Sequence, residues 1–311
     1  MSVFTELTPR DVRTILAGYE VGDLLDWTGV PGGTDNTNYF VVTSRGSFVL
    51  TILERIDDNA SDFAAALARH LLNSGIPCAP PIKHRDGTAF TKLKEKRVVL
   101  APRLSGASRL EPNNDECAQV GEILAQIHTA AQAFDLTRPN PYGHEWLEDA
   151  REKLSALLSS SQRALFDAQL QELAQLKSAP ASQIIHGDLF RDNVLFDAGR
   201  ISGVIDLYFA CNEHWLLDLA ITVNDWCWRN DVFDRSRFTA LSGAYRALRS
   251  FNDYEHRCWS LFLRYAALRF WTSRLLDQNF PRSGQHVTSK SAEQMENLLR
   301  YHRQHSAPPL P

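Results

Sequence analysis

The chain has 311 residues, 44% of them hydrophobic, with 37 acids against 33 bases and a net charge of −4. That length buries a core without disulfides or metal, and the mild acidity argues against a broad basic face for nucleic acid. No apolar run reaches the roughly 18 residues of a membrane helix, the first residues lack a signal-peptide core, and the five cysteines form no C-x-x-C pair, so a cytoplasmic globular protein is expected.

In chain order, Thr8 reads as a helix cap, with Pro9 at the first helical position and Val12, Ile15, Leu16 and Tyr19 at helical spacing. Strand-like stretches follow at 24–30, 38–43 and 47–53, the last two meeting across Ser44-Arg45-Gly46 as a hairpin. Residues 61–73 are helical by their Ala and Leu content and stop at Gly75, and 96–104 return to strand. After Ser105-Gly106-Ala107-Ser108 the pattern becomes helical over 114–134, 145–158 and 161–177. Short strands at 182–186, 193–196 and 201–206 interrupt it, and helices dominate from there on. The stretch 257–277 is apolar nearly all round, as a buried helix is, and 306–311 read as a loose tail. The expectation is an α+β, bilobal layout: a β-rich lobe over 1–104 and a mainly helical one over 105–311.

The segment with chemistry is His186-Gly187-Asp188-Leu189-Phe190-Arg191-Asp192-Asn193, followed by Val204-Ile205-Asp206. Three groups suited to oxygen and metal chemistry, Asp188, Asn193 and Asp206, leave neighbouring strands on one side. Phosphoryl transfer needs such a set: a carboxylate to orient the attacking hydroxyl, and an amide and a carboxylate to hold Mg²⁺. A phosphate cover is sought in Gly32, Gly33, Thr34, Asn36, Thr37 and Asn38, where glycines let backbone N–H groups approach and Thr and Asn add donors. A Gly-Gly turn is also an ordinary hairpin element.

The spacing His186-x-Asp188-x-x-x-x-Asn193, with Asp206 further on, resembles the catalytic loop and metal-binding aspartate of the protein-kinase-like phosphotransferases. Its glycine after His186 points to the aminoglycoside phosphotransferase and choline kinase superfamily. The blocks at 36–41, 48–52, 204–210, 217–220, 224–226 and 268–275 resemble the bacterial kinase-like homoserine kinases. The resemblance implies ATP and Mg²⁺ as cofactors, homoserine as a small-molecule substrate and a place in threonine biosynthesis. It implies Asp188 as base, His186 as brace of the loop, and Asn193 and Asp206 as metal ligands. One departure stands out: Thr51 occupies the strand position where kinase-like folds carry a phosphate-gripping lysine, with Lys83, Lys92 and Lys94 as candidate replacements. It keeps open a non-catalytic nucleotide-binding regulator beside the enzyme readings, among which a choline or ethanolamine kinase is the alternative.

Homoserine is a zwitterion, and residues 181–280 hold 12 acids and 11 arginines with no lysine, a near-balanced lobe. Arg269, on an apolar helical arc, needs a partner: a substrate carboxylate, or an internal acid such as Asp218 or Asp225. Asp225, Arg191 and Tyr208 join it as candidate acceptor-binding residues. Glu213, Asp225 and Asp231 are candidate partners of an ammonium. Trp215, Trp226, Trp228, Trp259 and Trp271 read either as an aromatic cage or, more simply, as core. His286, His302 and His305 read as solvated. Neither a nucleic-acid nor a membrane partner is expected, and nothing in the sequence sets an oligomeric state.

Overall fold

The computed structural model describes residues 5–30, 36–176, 183–229, 231–280 and 291–311. Thr8 caps α1 (Pro9–Leu16) in a reciprocal pair with Asp11, and Pro9 stands where its missing N–H is no loss. Five antiparallel strands follow: β1 (Leu24–Gly29), β2 (Thr37–Thr43), β3 (Gly46–Ile52), β4 (Thr91–Leu93) and β5 (Lys96–Pro102), in the order β1-β2-β3-β5-β4.

Alternation divides this sheet into two faces. Tyr39, Val41, Phe48, Leu50, Ile52, Val98 and Leu100 pack on Val12, Ile15 and Leu16 of α1. Asn38, Phe40, Val49, Thr51, Val99 and Ala101 turn the other way, with Asn38 opposite Thr51 and Phe40 opposite Val49. Arg97 on that second face pairs with Asp58 and Asp62 of α2 (Asp58–Asn73). Although α2 belongs by sequence to the β-rich part, its apolar stripe of Phe63, Ala64, Leu67, Ala68 and Leu71 joins the larger core of the helical part. An amphipathic helix goes where its stripe is covered, and the small sheet already has α1 on one face.

The chain crosses between the two parts at 103–107. Gly106 adopts φ +95°, and a Cβ there would lie 2.5 Å from the Phe196 carbonyl oxygen, so only glycine fits. Ala107 and Phe196 exchange main-chain hydrogen bonds of 3.0 and 2.9 Å, and Ser202 Oγ donates to the Ser105 carbonyl at 2.6 Å.

The helical part comprises α3 (Asn114–Ala130), α4 (His144–Leu154), α5 (Ser160–Leu173), α6 (Trp215–Trp226), α7 (Arg235–Leu248), α8 (Asp253–Asn279) and α9 (Ala292–Gln304). Between α5 and α6 come β6 (Ile184–Ile185), the hairpin of β7 (Val194–Asp197) and β8 (Arg200–Val204), and β9 (Cys211–Asn212), which pairs with β6. A small ladder of β10 (Trp228–Arg229) and β11 (Val232–Phe233) precedes α7. Helix α8 is the long buried one, capped by Asn252 and Glu255. None of the described helices is long and apolar enough to cross a membrane.

Two expectations about the C-terminal end are corrected. The tail is docked: the Trp259 indole N–H donates to the Pro308 carbonyl at 3.1 Å, and Leu310 is buried. A buried indole needs an acceptor, and a proline-rich segment offers carbonyls with no N–H of its own to satisfy. His302 is buried rather than solvated, on Asn224 Oδ1 at 2.8 Å, because α9 turns that side of itself onto α8 and α6. His305 is exposed, and His286 lies outside the described residues.

Candidate active site

Buried β6 delivers His186 to a loop that ends at β7. Gly187 takes φ +77°, and a Cβ on it would meet the Phe209 carbonyl oxygen at 2.7 Å, so the loop passes against the turn after Asp206. Burial pushes the His186 pKa down, which keeps the ring neutral. Its Nε2–H donates to the Ile205 carbonyl (3.1 Å) while Nδ1 accepts from the Asp188 amide (3.3 Å). One neutral tautomer satisfies both contacts, so His186 braces the loop against the strand that leads to Asp206.

Asn193 Nδ2 donates to Asp188 Oδ2 at 2.9 Å and to the Asp188 carbonyl at 2.8 Å. Both protons of the amide nitrogen are thereby directed at Asp188, and the amide oxygen faces elsewhere. The Ile205 amide donates to the Asn193 carbonyl at 3.0 Å, holding the two chain ends side by side. Asp206 lies two residues beyond β8 rather than within a strand, in the left-handed conformation (φ 63°, ψ 59°) that opens a single 3₁₀ turn over Leu207–Phe209. A non-glycine residue there stores about 1 kcal/mol. Asp188 and Asn193 thus meet through their side chains, and the Ile205–Asn193 hydrogen bond brings the main chain that carries Asp206 alongside them.

A platform beneath the loop escaped the sequence reading. Asp218 accepts from the His186 amide (2.7 Å), the Gly187 amide (2.9 Å) and His128 Nε2 (2.9 Å), and His128 Nδ1 meets the Tyr245 hydroxyl at 2.8 Å. Burial alone would raise the Asp218 pKa, but the hydrogen bond from His128 and the other donors hold it below the usual carboxylate range. Burial likewise keeps His128 neutral, with its ring stacked on Trp215 at 5.3 Å. About two turns further along α6, the Trp226 indole donates to the Leu189 carbonyl at 3.0 Å. Asp225 accepts from the Arg191 amide at 2.7 Å and from its guanidinium at 3.1 Å. A usable signal existed: an aspartate inside Leu216-Leu217-Asp218-Leu219-Ala220-Ile221 must be buried, and a buried carboxylate requires donors.

This corrects two acceptor candidates. Asp225 and Arg191 pair with each other, and Arg191 also donates to the Leu110 carbonyl at 2.8 Å, so both anchor the loop. Tyr208 is half-buried; burial and then the neighbouring Asp206 raise its pKa. The five tryptophans at 215, 226, 228, 259 and 271 are all buried in the large core and form no open cage.

On the sheet, the Thr51 hydroxyl donates to Asn38 Oδ1 at 2.6 Å, which fixes the orientation of the Asn38 amide. Thr37 is corrected: its hydroxyl lies on the α1 face and donates to Glu54, which also pairs with Lys96. Strand parity decides this, since Thr37 shares a face with Tyr39 and Val41. Asn36 Oδ1 accepts from the Glu54 amide at 3.3 Å. Gly32, Gly33 and Thr34 lie outside the described residues. Lys83, Lys92 and Lys94 are exposed, with β4 at the sheet edge. The guanidinium of Arg103 lies 3.7 Å from the ring centre of Phe40.

On the acceptor side, Arg264 pairs with Glu172. Arg274 donates to the Ser291 carbonyl at 2.9 Å, and burial lowers its pKa against the opposing charges of Asp225 and Asp188. Arg269 is buried yet pairs with neither Asp218 nor Asp225, and its Nη1 has no hydrogen-bond partner.

A model of the phosphotransferase enzyme family (APH) matches residues 26–251. The chain belongs to that family. Homoserine kinase of Methylobacillus flagellatus is 39% identical to this phosphotransferase over 97% of the chain and 95% of its own length. Homoserine kinase of Burkholderia ambifaria is 37% identical over 100% and 98%. In fold, the phosphotransferase is similar to the solved structure of the amicoumacin kinase hAmiN in complex with AMP-PNP, Ca²⁺ and Ami, with a TM-score of 0.72 at 18% identity over 96% of this chain and 93% of that one. The bilobal, protein-kinase-like α+β fold expected from the sequence is the fold of this phosphotransferase.

Proposed function

We propose that this phosphotransferase moves the terminal phosphoryl group of ATP to the hydroxyl of L-homoserine, giving O-phospho-L-homoserine on the way to threonine. The observation that carries the reading is the Asp188–Asn193 arrangement, in a chain aligned nearly end to end with proteins named homoserine kinase. Asp188 orients the acceptor hydroxyl and takes its proton as the oxygen attacks the phosphorus. Asn193 holds Asp188 Oδ2 and so fixes the plane of the carboxylate that would meet the hydroxyl. The donor set fits Mg²⁺: with its Nδ2 engaged by Asp188, Asn193 would offer its amide oxygen and Asp206 its carboxylate, two hard oxygen ligands of the kind the ion takes. When bound, the ion would neutralise phosphate charge.

In this reading residues 1–104 form the nucleotide lobe and 105–311 the acceptor lobe. Gly32, Gly33, Thr34 and Asn38 cover the phosphates, with Thr51 as the positioning residue that orients the Asn38 amide. Five free cysteines, four of them buried, suit a reducing cytoplasm. A choline-type acceptor fits less well, because the tryptophans that would cage a quaternary ammonium are packed in the core. Steady-state assay of the purified protein with ATP and Mg²⁺ against homoserine, choline, ethanolamine and kanamycin tests the reading. Turnover of homoserine above the other three is expected. Binding of ATP with no turnover of any acceptor would favour a regulator.

A further inference from the structure

A buried guanidinium without an anion is an expensive feature to keep. Arg269 on α8 is 2% exposed, makes no hydrogen bond or ion pair among the described residues, and its Nη1 is without a partner. Two aromatic rings flank it, Phe270 at 4.9 Å and Tyr142 at 5.0 Å, and Cys211 and Tyr265 lie within electrostatic range. The acids of the region are engaged elsewhere: Asp218 by three donors, Asp225 by Arg191, and Glu213 by Asn140 Nδ2 at 2.9 Å and by the His214 amide.

Its place relative to the reacting groups is set by the same rings. Phe270 contacts Phe190, two residues after Asp188, at 4.6 Å. Tyr142 contacts Phe209, three residues after Asp206, at 5.6 Å. The guanidinium therefore stands two ring contacts from each side of the candidate reaction centre. Tyr142 is only half-buried, so one of the two rings beside the guanidinium borders solvent. A planar fork of N–H donors beside apolar rings suits a carboxylate on a short aliphatic molecule.

We infer that Arg269 receives the α-carboxylate of the acceptor and so makes this site selective for amino-acid alcohols over simple amino alcohols. The inference rests on the homoserine reading and names the residue that enforces it. Arg269 acts in binding and leaves proton transfer to Asp188.

The test compares L-homoserine with 3-aminopropan-1-ol, the same molecule with hydrogen in place of the carboxylate, in the wild type, Arg269→Gln and Arg269→Lys. Loss of a charge-assisted contact predicts that Arg269→Gln raises the homoserine KM by about ten- to a hundredfold, with the ATP KM unchanged. The kcat/KM preference for homoserine over the amino alcohol should fall by a similar factor. Arg269→Lys, which keeps the charge but loses the fork, should recover part of that preference, and it carries the test if the Gln variant does not fold. Equal losses on both acceptors would overturn the inference in favour of a structural role, and a raised ATP KM in favour of a phosphate contact. Wild-type protein that fails to phosphorylate homoserine would sink the underlying reading as well. Homoserine turnover in the wild type with an unmoved preference in the variants would sink the Arg269 assignment alone.

Discussion

His302 makes acid stability a quantitative test of the packing around α6. Its Nε2–H donates to Asn224 Oδ1, and Asn224 Nδ2 donates to the Leu263 carbonyl at 2.9 Å, so one histidine ties α9 to α6 and α8 beside Asp225 and Trp226. Burial, and then the positive charge of Arg264, lower its pKa from the ordinary 6.5 to about 3. The folded form therefore stays unprotonated where the unfolded chain takes up a proton. Stability from this residue is complete above the unfolded value and is lost as pH falls from 6.5 toward 3. At pH 5 the linkage amounts to about 2 kcal/mol relative to pH 7. His302→Gln keeps a neutral donor for Asn224 but does not titrate. Urea unfolding followed by tryptophan fluorescence, at pH 7 and pH 5, should show wild-type stability falling by about 2 kcal/mol more than that of the variant. Buried His128, His186 and His214 also have lowered pKa values and steepen the acid loss, but equally in both proteins, so they cancel. An identical fall in the two proteins would refute the argument.

Asp188→Asn keeps the shape of the side chain and removes the base, so turnover should drop by about two to four orders of magnitude while calorimetric ATP binding is retained. Near-normal turnover would remove Asp188 from the mechanism. Asp218→Asn sets an amide N–H₂ against at least one of three donors that now face a carboxylate, and should lower unfolding free energy by about 2–3 kcal/mol with a parallel loss of turnover. A variant as stable and active as the wild type would show that the platform does not hold the loop. Thr51→Val removes the one hydrogen bond to Asn38, worth about 0.5–1.5 kcal/mol, and should raise the ATP KM by less than about tenfold with turnover in the same order. A hundredfold loss of turnover would mean that Thr51 acts on the phosphates directly.

The local pattern of the chain already determined much of this protein. Thr8 and Pro9 specified the start of α1, the β-branched runs around Ser44-Arg45-Gly46 specified the hairpin of β2 and β3, and the all-round apolar stretch after 257 specified a buried helix. These are short-range preferences of backbone and side chain, and they act wherever the segment ends up. The candidate catalytic loop is legible for the same reason: Asp188 and Asn193 are five residues apart, so their meeting is a local event. What tertiary structure decided is the partnership of distant charges. Asp225 and Arg191, each a fair candidate for substrate, found each other across 34 positions, and Asp218 closed on His128 across 90. Strand parity, which is local, put Thr37 on the far face of the sheet, but only the packing of α1 covered that face. The docking of the tail and the burial of His302 are invisible to hydropathy, which sees a polar segment, because burial depends on which helix comes to lie against it. A buried ionic group takes whatever opposite charge or donor the fold brings within reach, and that proximity is written in no stretch of sequence.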